Sequence, residues 1–237
     1  MELYLWGMVT QSPTSNLDAL IDNLRETLGE QATKRHTLLT TSFSHEDQLL
    51  TWAVLRAGLS VDLVSLDTGL LFPATVQTWK ETEAFFGVEI RSLSPDEGLV
   101  DRFNKEQGIT AIYQDIGARK SCCAFRKIAP LKKACEGKGW WLTGLRKSQS
   151  SNRATTPKVE LAPDWGVKKY HPLLEWTDAQ ISAGVKWTGV PVNPLYEMGY
   201  ASIGCAPCTR PVLPGEHPRS GRWWWEQSSK ECGLHKG

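Results

Sequence analysis

Six cysteines stand in this chain of 237 residues, and their spacing is the first feature that could do chemistry. Cys122 and Cys123 are adjacent, in RKSCCAFRK; Cys205 and Cys208 form a C-x-x-C, in SIGCAPCTRP; Cys135 and Cys232 stand alone. Four thiolates in two pairs are enough for one tetrahedral zinc site or one iron–sulfur cluster. The adjacent pair bears on which metal. Neighbouring side chains diverge, and zinc sites usually space their ligands two to four residues apart; on the larger cube of a 4Fe–4S cluster, two consecutive cysteines can each reach their own iron. The cluster is the better-fitting reading, zinc the alternative, and two buried cysteines beside an accidental C-x-x-C the plain one. Cys232 lies elsewhere, in the terminal SSKECGLHKG, where Lys230, His235 and Lys236 could hold a thiolate, the nucleophilic form of cysteine. Its plain reading is a stray surface thiol. Cys135, in IAPLKKAC, reads as a small apolar residue near a helix end.

The elements that must position these groups are legible in the front half. Leu17, Leu20, Ile21, Leu24 and Leu28 fall on one helical face, and HTLLTTSF (residues 36–43) is a short β-prone run. It leads directly into a helix that Glu46 and Asp47 open and that continues through Leu49, Leu50, Ala53 and Val54. The turn holding Ser42 and Ser44 faces the N–H groups of that helix, a natural cradle for phosphate. A second strand, in VDLVSLDTGLLF, ends at Asp67, Thr68 and Gly69, and Pro73 begins the next helix, where proline is favoured. WLTGLRKSQSSNR (residues 141–153) repeats the pattern: an apolar strand, then a loop rich in Gly, Ser and Arg. Small, polar and basic residues at strand ends are where an open α/β sheet binds nucleotides. Neither a Gly-x-Gly-x-x-Gly fingerprint nor a Walker motif is present, so a dinucleotide fold and a P-loop NTPase are unsupported.

Composition sets the limits. The length suits one sizeable α/β domain, expected over residues 1–222, with a functional mobile tail at 223–237. Lys and Arg (27) nearly cancel Asp and Glu (26), for a net charge of +1, which gives no case for a nucleic-acid or membrane-surface binder. No apolar run approaches the ~20 residues of a membrane span, and the N-terminus has no basic signal region, so a cytoplasmic protein with reduced thiols is expected. Trp223, Trp224 and Trp225 are expected to pack the base of the tail against the body or against a second copy of the chain, a homo-oligomer.

In order along the chain, SFSHEDQLL, LDTGLLFPAT, CCAFRKIAPL, TGLRKSQSSNR, NPLYEMGYASIGCAPCTRPVLPGEHPRSGRWWWE and KECGLH together resemble the assimilatory sulfonucleotide reductases, in their iron–sulfur-bearing branch that acts on adenosine 5′-phosphosulfate (APS). The resemblance runs from about Leu38 to His235. It implies an adenine nucleotide α-hydrolase-like fold: an open, mostly parallel sheet with helices on both faces, and a tail that carries the nucleophile. It implies a 4Fe–4S cluster on Cys122, Cys123, Cys205 and Cys208, and a catalytic Cys232. The implied reaction reduces APS to sulfite and AMP through an S-sulfocysteine, with reduced thioredoxin or glutaredoxin as donor and the cluster staying oxidised. It further implies that Lys127 lies between cluster and substrate anion, that Arg153, Arg219 and Arg222 line the phosphosulfate pocket, and that Ser42, Ser44, Leu66, Asp67, Gly69 and Gly144 hold the rest of the nucleotide. His235 would stabilise the Cys232 thiolate or orient the tail. One departure is His45, in a loop position where relatives more often carry a small residue.

Two other readings stand beside this one. A reductase of the 3′-phosphorylated nucleotide (PAPS), or of both nucleotides, would run the same chemistry, although relatives specific for PAPS mostly lack the cluster cysteines. A metal-stabilised nucleotide- or RNA-binding module would have no use for a terminal ECGLH.

Overall fold

The computed structural model describes residues 12–150 and 153–226. Six strands form one sheet: β1 (Thr37–Thr40), β2 (Asp62–Leu66), β3 (Arg91–Leu93), β4 (Trp140–Leu142), β5 (Val159–Ala162) and β6 (Val167–Tyr170), in the spatial order β3-β2-β1-β4-β6-β5. All neighbours run parallel except β5, which closes one edge antiparallel to β6. The chain fills one half of the sheet outward from β1 through β2 to β3; beyond β4 it lays down the edge strand β5 and then returns as β6 between them. Such a reversal leaves a crevice at the carboxyl ends of the central strands.

Strand residues alternate between two apolar layers, because successive side chains point to opposite faces. Leu39, Leu63, Trp140 and Leu142 pack beneath α1 (Pro13–Leu28), α2 (His45–Arg56) and α8 (Asp178–Thr188). The α1 stripe of Leu17, Leu20, Leu24 and Leu28 is buried in that layer, with Ile21 half-buried against it. Leu38, Val64, Leu93 and Trp141 face the other way, against Leu131, Ala134 and Cys135 of α7 (Ala129–Cys135). Helices therefore cover both faces, as expected.

Three more helices, α3 (Pro73–Phe86), α4 (Glu97–Glu106) and the single turn α5 (Ala111–Gln114), lead to α6 (Ile116–Cys123), which carries the adjacent cysteines. Asp115 caps α6 by accepting hydrogen bonds from the Gly117 and Ala118 N–H groups. Between α6 and α7 the helix widens into a π turn over Ala124–Ile128, where the Ala129 N–H reaches the Ala124 carbonyl. Pro130, which has no N–H to give, follows at once. A π turn before a helical proline absorbs a missing bond and re-aims the side chains it carries, here Arg126 and Lys127.

The C-terminal segment of the body does not end at 222. Trp223 is 1% exposed and Glu226 is 4% exposed, so both are packed into the body beyond the expected division at 222, while Trp224 between them is exposed. The rings of Trp224 and Trp225 lie 4.7 Å apart, and Tyr113 stands 6.1 Å from Trp224 and 4.6 Å from Trp225. The tryptophan run thus packs against the chain's own body. Cys232 and His235 lie outside the described residues. No helix among the described residues is long and apolar enough to cross a membrane.

Candidate active site

A cavity of about 640 Å³ opens at the carboxyl ends of β1, β2 and β4. Its wall is made by the loops that follow those strands, by Lys127 on the π turn, and by a late stretch holding Gly204, Cys205, Arg219 and Arg222. The two ends differ in chemistry.

At one end stand the cysteines. Cys122, Cys123, Cys205 and Cys208 are all buried and none forms a disulfide among the described residues, and Cys122, Cys205 and Cys208 share an apolar cluster with Phe103, Ile112 and Trp223. Burial and the neighbouring Cys123 push the Cys122 thiol up, and burial with the neighbouring Cys205 pushes Cys208 up to about 12. Cys205 behaves differently. Burial would raise it, yet Lys127, the Thr68 hydroxyl at 3.2 Å and the Arg222 guanidinium together hold it below the ordinary thiol value. Cys205 is also the cysteine of the four that lies in the cavity wall, beside Lys127.

Four buried thiols whose charges would repel one another suit a ligand set that a metal's positive charge must complete. Around them, Arg126 Nε, Arg222 Nε and Trp223 Nε1 are buried without a hydrogen-bond partner among the described residues. Buried donors without partners are rare, and acceptors on a bound group would satisfy them. No three His, Cys, Asp or Glu side chains among the described residues meet as ligands of a single metal ion. The residues present therefore fit the cluster.

At the other end, the N-terminus of α2 is filled by the protein itself. The Asp47 carboxylate accepts from both the N–H and the hydroxyl of Ser42, each at 2.7 Å, and Ser44 caps the helix by accepting from the Asp47 N–H at 3.2 Å. The His45 and Tyr196 rings stack with centroids 4.0 Å apart. Burial pushes the Asp47 carboxyl up and the His45 imidazole down, which favours the neutral form of both. Gly144 has no room for a side chain, since a Cβ there would stand 2.4 Å from Asp47 Oδ1. Phe43 holds the turn at φ 61, a strained conformation for an aromatic residue and one that clusters at functional sites.

Residues 36–211 match the family described as the phosphoadenosine phosphosulfate reductase domain. The chain belongs to that family. It is 47% identical over 199 residues to an adenosine 5′-phosphosulfate reductase of Agrobacterium fabrum, covering 84% of this chain and 76% of that protein. It is 43% identical over 225 residues to the protein of the same name from Burkholderia cepacia, covering 94% of this chain and 90% of that protein. Among solved structures it resembles a phosphoadenylyl-sulfate reductase from Candida auris in a phosphate complex, with a TM-score of 0.64 and 26% identity over 86% of this chain and all of that one. An FMN adenylyltransferase from Candida glabrata shares the fold, with a TM-score of 0.57 and 14% identity over 96% of this chain and 80% of that one.

For a member of the phosphoadenosine phosphosulfate reductase domain family, the expected site residues fall into two groups. Ser42, Ser44, Leu66, Gly144, Lys127, Arg153, Arg219, Arg222 and Cys205 share the cavity wall. Asp67 and Gly69 do not: Asp67 Oδ1 accepts from the Gly69 N–H at 3.0 Å in a turn of its own, and Thr68 between them faces the cavity and Cys205. The Ser42 and Ser44 turn lines the cavity, but the Ser42 N–H and hydroxyl are spent on Asp47 rather than open to a phosphate. Sequence reasoning missed Arg146, whose Nε donates to Glu46 at 2.9 Å and whose Nη2 meets Asp178 at 2.6 Å. It also missed Thr143, whose hydroxyl bonds buried His171 at 2.7 Å, and Tyr196. Their partners lie far along the chain, and no local pattern announces them.

Proposed function

We propose that the chain reduces adenosine 5′-phosphosulfate to sulfite and AMP. One observation carries the reading within the family: Cys205 belongs at once to the buried thiol set and to the wall of a cavity whose other wall groups there are Lys127, Arg219 and Arg222. The names of the Agrobacterium and Burkholderia relatives support the substrate.

In this reading, Lys127 and the arginines bind the phosphosulfate and offset the charge that builds on the AMP phosphate as its bond to sulfur breaks. Cys122, Cys123, Cys205 and Cys208 would hold a 4Fe–4S cluster, which when bound supplies a fixed charge next to the anion. The Cys232 thiolate attacks the sulfur of the substrate; the S–O bond breaks and AMP leaves with the bonding pair. The enzyme then carries an S-sulfocysteine. A dithiol protein of the thioredoxin or glutaredoxin class attacks the sulfur of Cys232, releases sulfite and, through its second thiol, leaves as a disulfide with the two electrons supplied. In this reading the same cysteine must meet the nucleotide first and the dithiol protein afterwards. Inside the body, Cys135 takes no part: burial pushes it up to about 11, and it packs among Leu131, Ala134 and Trp141.

The test is a single turnover without dithiol donor. Anaerobically prepared enzyme mixed with APS should release at most one equivalent of AMP and gain the mass of one sulfonate on the peptide holding Cys232. Cys232→Ser should lose both signals and keep its iron. A sulfonate found on Cys135, or continued AMP release without donor, sinks the mechanism.

A further inference from the structure

A buried ion pair that the reaction above does not use lies behind the basic wall of the cavity. Arg119 sits four residues before Cys123 on α6, hence on the same helix face. Its Nε and Nη2 donate to the two carboxylate oxygens of Glu226 at 2.7 and 2.8 Å, and the two side chains are 2% and 0% exposed. A two-pronged contact of this kind fixes orientation as well as distance. Both guanidinium groups, of Arg119 and of Arg222, stand 4.8 Å from the ring of Trp223. Trp223 holds a backbone φ of 43, kept by its N–H on the Cys208 carbonyl at 3.2 Å and by the Glu226 N–H on its own carbonyl at 2.9 Å.

The two arginines are not equivalent. Arg119 is matched by Glu226. Arg222 makes no ion pair among the described residues; its Nη1 donates to the Ile203 carbonyl at 3.1 Å and its Nε is buried without a partner. It crosses Gly204 so closely that a Cβ there would stand 2.2 Å from Nη2. We propose that the Arg119–Glu226 pair is a positioning device for the anion site: it locks Trp223, and through that indole holds the Arg222 guanidinium in the cavity wall beside Cys205. Stability does not account for the pair, since an apolar replacement of a buried ion pair is often neutral or better. What an apolar pair lacks is a fixed angle.

The proposal rests on the basic wall being the anion site, and the test separates the two. AMP is titrated at equilibrium into the iron-loaded enzyme and into Glu226→Gln, Arg222→Ala and the double variant, so no turnover is needed. Each single change should weaken AMP about tenfold, the scale of one charged hydrogen bond. The double variant should be no more than about twofold weaker than Arg222→Ala alone, because Glu226 acts through Arg222. Additive losses overturn the proposal, as does wild-type affinity in Glu226→Gln. Normal AMP binding by Arg222→Ala overturns both the proposal and the reading of the wall. If Glu226→Gln does not fold, Arg119→Leu with Glu226→Leu replaces it in the same cycle; it should show the same dependence on Arg222, and wild-type affinity there overturns the proposal.

Discussion

At the α2 end of the cavity Arg146 meets Glu46 at 2.9 Å and Asp178 at 2.6 Å, whereas at the cysteine end Arg222 has a backbone carbonyl and an indole. The two side chains are about equally buried, at 5% and 7% exposure of the residue. Burial therefore does not separate them; the company they keep does. A buried guanidinium already matched by carboxylates is part of the scaffold. One that keeps an orphan donor retains an unspent interaction for an incoming anion. The same contrast divides the cysteines, where Cys205 is held below the ordinary thiol value by cations and a hydroxyl while Cys135 is pushed up among apolar neighbours.

The largest effect that would break this contrast lies at the cysteine end. Cys205→Ser should remove the iron–sulfur absorbance and nearly all APS reduction, since each of the four thiols is assigned one iron. Retention of four irons per chain in that variant would undo the assignment. Next comes Lys127→Ala, expected to lower kcat by about 10²–10³-fold, the usual cost of one lost transition-state donor, with a smaller change in KM. Steady-state kinetics decides it; a KM effect alone would make Lys127 a ground-state contact.

At the α2 end the expected losses are of stability. Arg146→Ala leaves the Glu46 carboxylate buried without its partner and should cost about 3 kcal/mol, measured by chemical denaturation of the folded enzyme. An unchanged midpoint would mean that the pair is solvated and contributes little. His171, behind Thr143, is lowered to about 4 by burial, against the opposing pull of Glu160. Its unfolded value is near 6.5, so below that pH the unfolded chain takes up a proton that the folded one refuses. Stability should therefore fall as the pH drops from about 6.5 to 4, by up to about 3 kcal/mol. In His171→Asn this part of the slope should vanish; an identical slope would assign it to other groups. The smallest effect is that of Cys135→Ser, which should keep the iron, the AMP affinity and kcat, with a stability loss of about 1 kcal/mol for a polar atom in an apolar layer.

The amino-acid sequence by itself determined the local elements and the inventory of reactive groups. The leucine stripe of α1, the β1 run, the opening of α2 at Ser44 and the proline start of α3 are short-range patterns, set by periodicity and by hydrogen bonds within a few residues. The two cysteine pairs were equally legible, because their meaning lies in spacing. Only the tertiary structure decided which of these groups share a space. Thr68 faces Cys205 while Asp67 and Gly69 on either side do not, and the Ser42 donors turn to Asp47 instead of the cavity. Arg146 finds Glu46 across 100 residues and Arg119 finds Glu226 across 107. Such pairings carry no periodic signal. They depend on how loops and helices far apart in the chain pack against one another and bring distant side chains within about 3 Å, a distance that packing sets and local propensity does not.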